Sequence, residues 1–361
     1  MNEVERFIKA QIRENGPISV EQFFLIAASG HPQSYYASRE PFGRDGDFIT
    51  APEISQVFGE CIGLWCVDTW EKMGAPPSFR LVELGPGNGT LMSDILRVAR
   101  IRPAFLRGAR VELVETSPRL RDVQRARLAG MAEITWHASA EVLAAGAPLI
   151  VVCNEFFDAL PARQFVKLNG RWRERMVGLD PNERLVFALD EDADFSSLVP
   201  ARLAGAQDGS VHEISTSAIR VAGALGEALV GSTGALLAID YGYEGPATGD
   251  TLQALRAHAP CPVLAAPGSA DITFHVDFDA LAGSLMRAGA KVWPVRGQGE
   301  FLRDLGAGAR TEIVSRHATP AQAQALQNAL TRLTAPEAMG TLFKVLCASF
   351  PPSLVPAGFS R

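Results

Sequence analysis

The spacing of apolar and polar positions changes along the chain and divides the sequence into two kinds of pattern. Up to about residue 77, apolar positions recur at helical spacing, and Ser19 with Gln22 forms the capping box of one helix. From Phe79 onward, short apolar runs alternate with helical stretches. This alternation predicts an α/β fold with a mostly parallel sheet. The seven predicted strands are residues 80–83, 110–115, 133–137, 148–153, 235–241, 291–295 and 341–350.

Residues 163–190 break this alternation. Three β-type runs occur there, separated by turns at Asn169 and Pro181, which favours an inserted antiparallel meander. Residues 244–274 are rich in Gly, Pro and Ala, and they are expected to form a loop. The predicted division is a helical cap, a main domain, its insertion and a loose proline-rich tail: residues 1–77, 78–350, about 163–215 and 351–361.

The stretch before the sheet combines a loop with a helix start. Residues 30–49 carry Gly, Pro, Tyr and charge without periodicity, which indicates a loop. Thr50 and Glu53 stand where a capping box would begin a helix that runs to about Met73. The segment 43–60 is polar at its front and could fold over a bound cofactor; Thr50 and Glu53 could equally act only as caps.

Composition and charge narrow the function classes. The chain has 361 residues, 47% of them apolar and 20% charged, which is ordinary for a soluble globular enzyme. A net charge of −6 and the lack of a long basic run argue against nucleic-acid binding. No apolar run has the length to span a bilayer, so membrane insertion is not expected. The five cysteines include no Cys-x-x-Cys pair, which suits a reducing cytoplasm and predicts no metal site.

A glycine-rich turn follows the first predicted strand. Its pattern is Glu83-x-Gly85-x-Gly87-x-Gly89, with Thr90 opening the next helix. Glycines allow positive φ and a close approach of backbone to ligand. A carboxylate at Glu83 would repel a diphosphate but attract the sulfonium and ammonium groups of S-adenosylmethionine. We therefore predict a methyltransferase cofactor site, with Thr90 in its set of residues.

Two other interpretations of this turn stay open at this point. One is a tight turn in another doubly wound fold. The other is a nicotinamide-dependent dehydrogenase, whose Gly-x-Gly-x-x-Gly pattern would place the third glycine one position after Gly89.

Two further positions extend the predicted cofactor site. Glu115 ends the second strand, where a carboxylate can accept two hydrogen bonds from the vicinal hydroxyls of a ribose. The adenine would lie against the residues after the third strand, His137 to Ser139. No acid stands there, so Ser139 is predicted to contribute through its backbone or its side chain.

The segment after the fourth strand carries the predicted substrate chemistry. Asn154, Glu155 and Asp158 face the methyl donor if they follow the general rule for open α/β sheets. Glu155 and Asp158 could hold a guanidinium by paired hydrogen bonds while Phe156 or Phe157 packs on its plane. Alternatively, Glu155 caps a helix and Asp158 forms a surface salt bridge.

Several segments together resemble one family, the mitochondrial complex I assembly-factor arginine methyltransferases and their bacterial relatives. The segments that carry the resemblance are residues 48–60, 83–90, 154–161, 240–242, 271–278 and 339–346. The resemblance implies a class I, Rossmann-like methyltransferase fold with a reversed seventh strand. By motif match it implies Gly85, Gly87, Gly89 and Glu115 as cofactor residues, and Glu155 and Asp158 on the substrate side.

The resemblance also implies a reaction and a partner. The reaction is symmetric dimethylation of an arginine on the quinone-proximal catalytic subunit of NADH:quinone oxidoreductase during assembly. The N-terminal residues lack the features of a signal or transit peptide, so a bacterial, cytoplasmic protein is expected. The alternative is a non-catalytic assembly chaperone that binds S-adenosylmethionine for stability. Loss of Glu155 would abolish the function of the enzyme but not that of the chaperone.

Overall fold

The computed structural model describes residues 1–38, 50–140, 143 and 145–359. Most of the predicted loop at 30–49, and the front of the segment expected to cover the cofactor, lie outside the described residues. In the described ranges, no helix combines the length and apolar character that crossing a membrane requires.

The helices and strands follow one another in an order that changes character at residue 79. The helices are α1 Glu3–Asn15, α2 Val20–Ala28, α3 Tyr35–Ser38, α4 Ala51–Ile54, α5 Gln56–Lys72, α6 Thr90–Val98, α7 Pro103–Gly108, α8 Pro118–Arg127, α9 Thr216–Val230, α10 Phe278–Arg287, α11 Gln298–Asp304, α12 Ala307–Ser315 and α13 Pro320–Thr334. The strands are β1 Ile18–Ser19, β2 Phe79–Leu84, β3 Ala109–Val114, β4 Ile134–His137, β5 Leu149–Asn154, β6 Arg163–Leu168, β7 Arg171–Leu179, β8 Leu185–Leu189, β9 Val211–Ile214, β10 Gly234–Tyr243, β11 Gln253–Arg256, β12 Ala259–Cys261, β13 Asp271–Thr273, β14 Val276–Asp277, β15 Lys291–Val292, β16 Arg296–Gly297 and β17 Phe343–Phe350.

The main sheet has the strand order β15-β17-β10-β5-β2-β3-β4. The pairs from β10 to β4 are parallel, whereas β17 runs antiparallel to β10. Strands β5 and β10 are apolar almost throughout because both of their faces are covered. The predicted α/β fold, with a mixed and mostly parallel sheet, is therefore confirmed.

The predicted strand at 291–295 is wrong in its extent. Only its first two residues form a strand, β15, and a second short strand, β16, follows beyond its predicted end; both pair with β17. Pro294 lies between them, and proline has no backbone N–H to donate to a ladder. The sheet edge is interrupted at that residue.

The chain divides into two compact units. The second unit contains the described parts of residues 49–156, 220–243 and 280–361, including the main sheet. Helix α5 belongs to this unit, because Phe58 and Trp65 pack in one apolar cluster with Leu81 of the sheet. The units therefore do not follow the predicted boundary at residue 77.

The first unit contains the described parts of residues 1–48, 157–219 and 244–279. Its larger sheet has the order β1-β7-β6-β9, with β8 added beside β7. The predicted meander is confirmed, and its first turn has positive φ at Asn169 and Gly170. Residues 244–274 were expected to be a loop, yet β11, β12 and β13 form a small antiparallel sheet there.

The capping box at Ser19 and Gln22 is confirmed. The predicted helix from Thr50 to Met73 is interrupted, because α4 ends at Ile54 and Ser55 is the N-cap of a separate helix, α5. The side chain of Thr50 makes no capping hydrogen bond, which contradicts the predicted box with Glu53.

The C-terminal residues are packed rather than loose. Leu354 and Phe359 are only 4% and 3% exposed, and the Phe359 ring lies 5.5 Å from that of Phe301. Ser349 Oγ also donates to the Leu354 carbonyl at 2.8 Å. The expectation of a loose tail is therefore wrong as far as residue 359.

Candidate active site

The glycine-rich turn lies between β2 and α6 in the second unit. Gly85, Gly87 and Gly89 have φ values of 63°, 50° and 76°, in the left-handed region that favours glycine. A Cβ added at Gly85 would lie 3.0 Å from Cδ2 of Phe156, so this side of the turn is closely covered by an aromatic ring. Glycines in this conformation allow the backbone of a turn to approach a ligand closely.

Three predicted site segments meet at one edge of the sheet. Leu84 pairs in parallel with Val114 on one side and Cys153 on the other. The residues that follow, Gly85, Glu115 and Asn154, therefore leave the carboxyl ends of three neighbouring strands together. Ligands of open α/β sheets bind at this edge.

Glu83 is buried beneath the turn, with 3% of its surface exposed. Burial raises the pKa of its carboxyl to about 8, partly offset by a hydrogen bond from the Met92 backbone and reinforced by Asp94. Its Oε2 atom finds no hydrogen-bond partner in the described part of the chain. The ionised Glu83 expected from the sequence is therefore wrong for the empty site, because burial favours the neutral carboxyl at pH 7.

Glu115 is also buried, with 8% of its surface exposed. Its Oε1 accepts from the Ser117 backbone N–H at 2.8 Å and its Oε2 accepts from Gln124 Nε2 at 3.2 Å. Burial raises the pKa of this carboxyl, and the hydrogen bonds from Ser117 and Gln124 act in the opposite direction. The carboxylate is thus held in one orientation at the end of β3.

Gln124 is a residue of this site that the motifs missed. It lies on α8 and is completely buried. One signal could have found it: Leu120, Gln124 and Leu128 follow one another at four-residue spacing, so a glutamine occupies the buried stripe of an otherwise charged helix.

His137 and Ser139 stand at the end of β4, where the adenine is predicted to lie. His137 Nε2 lies 2.8 Å from Glu112 Oε2, so its ring is engaged with the neighbouring strand. Glu112 is also gripped by the Arg80 guanidinium, with both hydrogen bonds at 2.7 Å. Ser139 is half-buried just beyond β4.

Glu155 has a strained backbone. Its φ is 51°, which is uncommon for a residue with a Cβ and often marks a functional position. Its Oε1 accepts from Ala51 N and from Asn154 Nδ2, both at 3.0 Å. Ala51 is the first residue of α4, so Glu155 does cap a helix, although not one that follows β5.

Asn154 and Asp240 organise the same strand ends. Asn154 is 9% exposed, and its Oδ1 is a buried acceptor with no hydrogen-bond partner among the described residues. Asp240 accepts from the backbone N–H groups of Phe156 and Tyr241 at 3.1 and 3.0 Å. Asp240 therefore fixes the backbone that carries the ring beside Gly85.

The segment before α5 is tied to the turn. Thr90, the first residue of α6, donates from Oγ1 to Glu53 Oε1 at 2.5 Å. Glu53 thus contacts the cofactor end of the sheet instead of capping its own helix.

Asp158 belongs to the first unit and is 5% exposed, so the alternative of a surface salt bridge is wrong. Its carbonyl accepts from Phe274 N at 3.1 Å. After burial, Asp271 and then Asp158 raise the pKa of the Tyr36 hydroxyl, which donates to Asp271 at 2.7 Å. His275 is half-buried in the same unit, and its N–H donates to Thr251 Oγ1 at 2.9 Å.

These features suit S-adenosylmethionine. Three positive-φ glycines leave backbone close to a ligand, and Glu83 Oε2 is a buried acceptor that a cationic group could use. Glu115 presents a fixed carboxylate at the neighbouring strand end. The residues present therefore fit the cofactor that the turn predicts.

Comparison with known proteins decides the family. Residues 61–294 match the family model described as "Putative S-adenosyl-L-methionine-dependent methyltransferase". The chain belongs to this family. The predicted cofactor and the methyltransferase class are thereby confirmed, and the dehydrogenase alternative is rejected.

Curated relatives extend this result over nearly the whole chain. The mitochondrial protein arginine methyltransferase NDUFAF7 homolog of Drosophila melanogaster is 35% identical, over 95% of this chain and 84% of that protein. Its counterpart from Homo sapiens is 32% identical, over 94% and 81%. The resemblance found in the sequence is confirmed. The predicted bacterial, cytoplasmic location is contradicted, because these relatives are named as mitochondrial proteins.

Solved structures agree with the fold. A crystal structure of a related protein from Burkholderia thailandensis, bound to S-adenosyl-homocysteine, has a TM-score of 0.86 and 27% identity. The match covers 99% of this chain and 94% of that one. A native structure from the same organism has a TM-score of 0.85 and 26% identity.

Proposed function

We propose that this methyltransferase acts on an arginine side chain of a protein, and that its substrate is a subunit of respiratory complex I during assembly. The relatives' names as protein arginine methyltransferases support the residue type. The resemblance of residues 154–161 and 271–278 to the complex I assembly-factor family supports the partner, the quinone-proximal catalytic subunit. Dimethylation is the expected product.

We infer that the seven-strand path of the main sheet is the class I methyltransferase sheet. Its support is the parallel run from β10 to β4 together with the antiparallel β17. On this basis the cofactor would lie across the carboxyl ends of β2, β3 and β4.

The cofactor residues have separate roles in this proposal. The backbone of Gly85, Gly87 and Gly89 gives the cofactor room, with Thr90 held beside the turn by Glu53. Glu83 would accept from the cationic end of the cofactor, Glu115 from its ribose, and Ser139 would border its adenine. When bound, the cofactor supplies an electrophilic methyl group on its sulfonium.

The observation that carries the proposal is the held carboxylate of Glu155. Its two donors, Ala51 N and Asn154 Nδ2, fix Oε1 at the strand end. A carboxylate held in this way can orient a guanidinium by charge-assisted hydrogen bonds and balance charge as the attacking nitrogen loses its proton. Asn154 Oδ1 offers a further acceptor, and Asp158 is the predicted second acid on the substrate side.

The test is mass spectrometry of arginine methylation in cells that lack this protein. The cells are complemented with the wild type, with Glu155→Gln or with Glu115→Ala. We expect a dimethyl-arginine on one complex I subunit to return only with the wild type. An unchanged methylation profile combined with defective complex I assembly, rescued by Glu155→Gln, would instead support a chaperone.

A further inference from the structure

Gln124 connects three elements at the cofactor end of the sheet. Its Nε2 donates to the Gly87 carbonyl at 2.8 Å and to Glu115 Oε2 at 3.2 Å. Its Oε1 accepts from Trp136 Nε1 at 2.9 Å. One buried amide therefore contacts the glycine turn, the acid that follows β3 and the aromatic residue of β4.

The chemistry of the partners fixes the orientation of this amide. The indole N–H of Trp136 can only donate, so it must face the amide oxygen of Gln124. A carbonyl and a carboxylate can only accept, so Gly87 and Glu115 must face the amide nitrogen. Turning the amide over would break all three hydrogen bonds, and the side chain is held in a single orientation.

Other contacts fix the backbone around Glu115, and Gln124 links its carboxylate to the turn. Arg121 donates to the main-chain carbonyls of Glu115 and His137, which ties the ends of β3 and β4 together. Backbone N–H groups also act on the Glu115 carboxylate: the Ser117 N–H donates to Oε1, and a hydrogen bond from the Thr116 backbone adds to it. Gln124 donates to Oε2 from a side chain and is also bonded to the Gly87 carbonyl, so it links this oxygen to the turn, and its hydrogen bond favours the charged carboxylate.

We propose that Gln124 is a positioning residue for the cofactor. It holds the Glu115 carboxylate at a fixed place relative to the glycine turn, so that the site selects an adenosine whose ribose carries both hydroxyls. This inference rests on the proposed ribose contact of Glu115. It adds that discrimination between ribose and deoxyribose depends on a residue that does not itself contact the sugar.

The experiment is calorimetric titration of the full chain with S-adenosylhomocysteine and with its 2′,3′-dideoxy counterpart. Four proteins are compared: the wild type, Gln124→Met, Trp136→Phe and Glu115→Gln. The wild type should prefer the ribose form by about tenfold to a hundredfold, as hydrogen bonds to a charged group imply. Gln124→Met should reduce this preference to below about threefold. Trp136→Phe keeps an aromatic ring and removes only the N–H, so it should reduce the preference in part.

A structural role alone would give a different result. If Gln124→Met weakens both ligands by the same factor and keeps their ratio, Gln124 supports the fold only and the proposal is overturned. If that variant lacks a cooperative unfolding transition, Trp136→Phe decides, and an unchanged ratio overturns the proposal. A wild type without any preference would overturn the ribose role of Glu115 as well. A preference lost in Glu115→Gln but kept in Gln124→Met would overturn only the role of Gln124.

Discussion

At the residue scale, burial decides which form the acids of the site take. Glu83 is 3% exposed, with a carboxyl pKa of about 8, so it is mostly protonated at pH 7. A cationic ligand beside it would favour the ionised form and release a proton on binding. The sequence could predict an acid before the turn, but not its protonation, because its pKa depends first on its burial and then on the Met92 backbone hydrogen bond and the charge of Asp94.

The affinity for S-adenosylmethionine is expected to rise from pH 6 to pH 8 and to level off above. Below its pKa Glu83 must lose a proton before it can pair with the cation, so the affinity falls by up to about tenfold per pH unit. Glu83→Gln should remove this slope. Isothermal titration calorimetry from pH 6 to pH 9 measures the affinity at each pH. An equal slope of affinity against pH in the variant would assign the pH dependence to another group.

The raised pKa of Glu83 has the opposite effect on the stability of the protein without cofactor, which falls as the pH rises. The folded-state pKa of about 8 lies above the ordinary 4.5, so the folded protein binds the extra proton between these values. Stability contributed by Glu83 is therefore lost as pH rises from about 4.5 to about 8. Without cofactor, Glu83→Gln should raise the unfolding temperature at pH 8.5 and leave it nearly unchanged at pH 4.5.

Glu155 combines a strained backbone with a proposed substrate role, and two variants separate these. The φ of 51° is tolerated by glycine but costs other residues about 1 kcal/mol or more. Glu155→Gly should thus be about 1 kcal/mol more stable than Glu155→Ala. Both should lose arginine methylation while binding S-adenosylhomocysteine within about threefold of the wild type. Chemical denaturation, a methylation assay and titration test this, and residual activity in either variant would contradict the proposed role.

At the element scale, strands buried on both faces were the easiest to predict from the sequence. The apolar runs of β5 and β10 have few alternatives, since they fit neither an exposed strand nor an amphipathic helix. The predicted element boundaries were wrong where a single residue interrupts the apolar pattern. Pro294 lies in the gap between the short strands β15 and β16, and Ser55 separates α4 from α5. The contacts of Gln124 were beyond prediction because its partners are 9, 12 and 37 residues away.

The turn between β2 and α6 allows a matched comparison of two glycines. Both have positive φ, so alanine strains the backbone at either position. A Cβ at Gly85 would meet Phe156 at 3.0 Å, whereas at Gly89 the nearest atom is 3.5 Å away. Gly85→Ala should therefore weaken S-adenosylhomocysteine binding about tenfold more than Gly89→Ala does. Titration of both variants measures this, and the double variant Gly85→Ala with Phe156→Leu should recover part of the loss. Equal losses would show that only backbone strain matters.

The C-terminal residues are expected to stabilise the second unit. Phe359 is 3% exposed and contacts Phe301, so Phe359→Ala should lower the free energy of unfolding by about 3 kcal/mol. Ser353→Ala, at an exposed position of the same segment, is the control and should be nearly neutral. Urea denaturation measures both. Equal stability of the two variants would restore the loose tail that the sequence suggested.

At the scale of the whole molecule, each compact unit is assembled from three separate stretches of chain. The pattern along the sequence predicted the meander and the sheet, because each is built from neighbouring elements. It could not predict which stretches share a core, since α5 and the C-terminal residues join the sheet through contacts distant in sequence. A domain boundary inferred from a change in the apolar pattern therefore marks where the type of secondary structure changes, and not where one compact unit ends and the other begins.

This division predicts which residues should be protected from amide exchange when the cofactor binds. The turn, Glu115 and Gln124 all belong to the second unit, so a bound ligand should slow amide exchange in residues 84–90 and 115–124. The β7–β8 hairpin, residues 171–189 of the first unit, is the internal control and should exchange at an unchanged rate. Hydrogen–deuterium exchange with saturating S-adenosylhomocysteine measures the site segments and the hairpin in one sample. In Glu115→Gln, the protection given by the ligand should be lost to a greater extent at residues 115–124 than at residues 84–90. Equal protection of the hairpin and the turn would show that the ligand stabilises the whole protein, and would contradict a local effect. At a ligand concentration of a hundred times Kd, this global stabilisation would be about 2.7 kcal/mol.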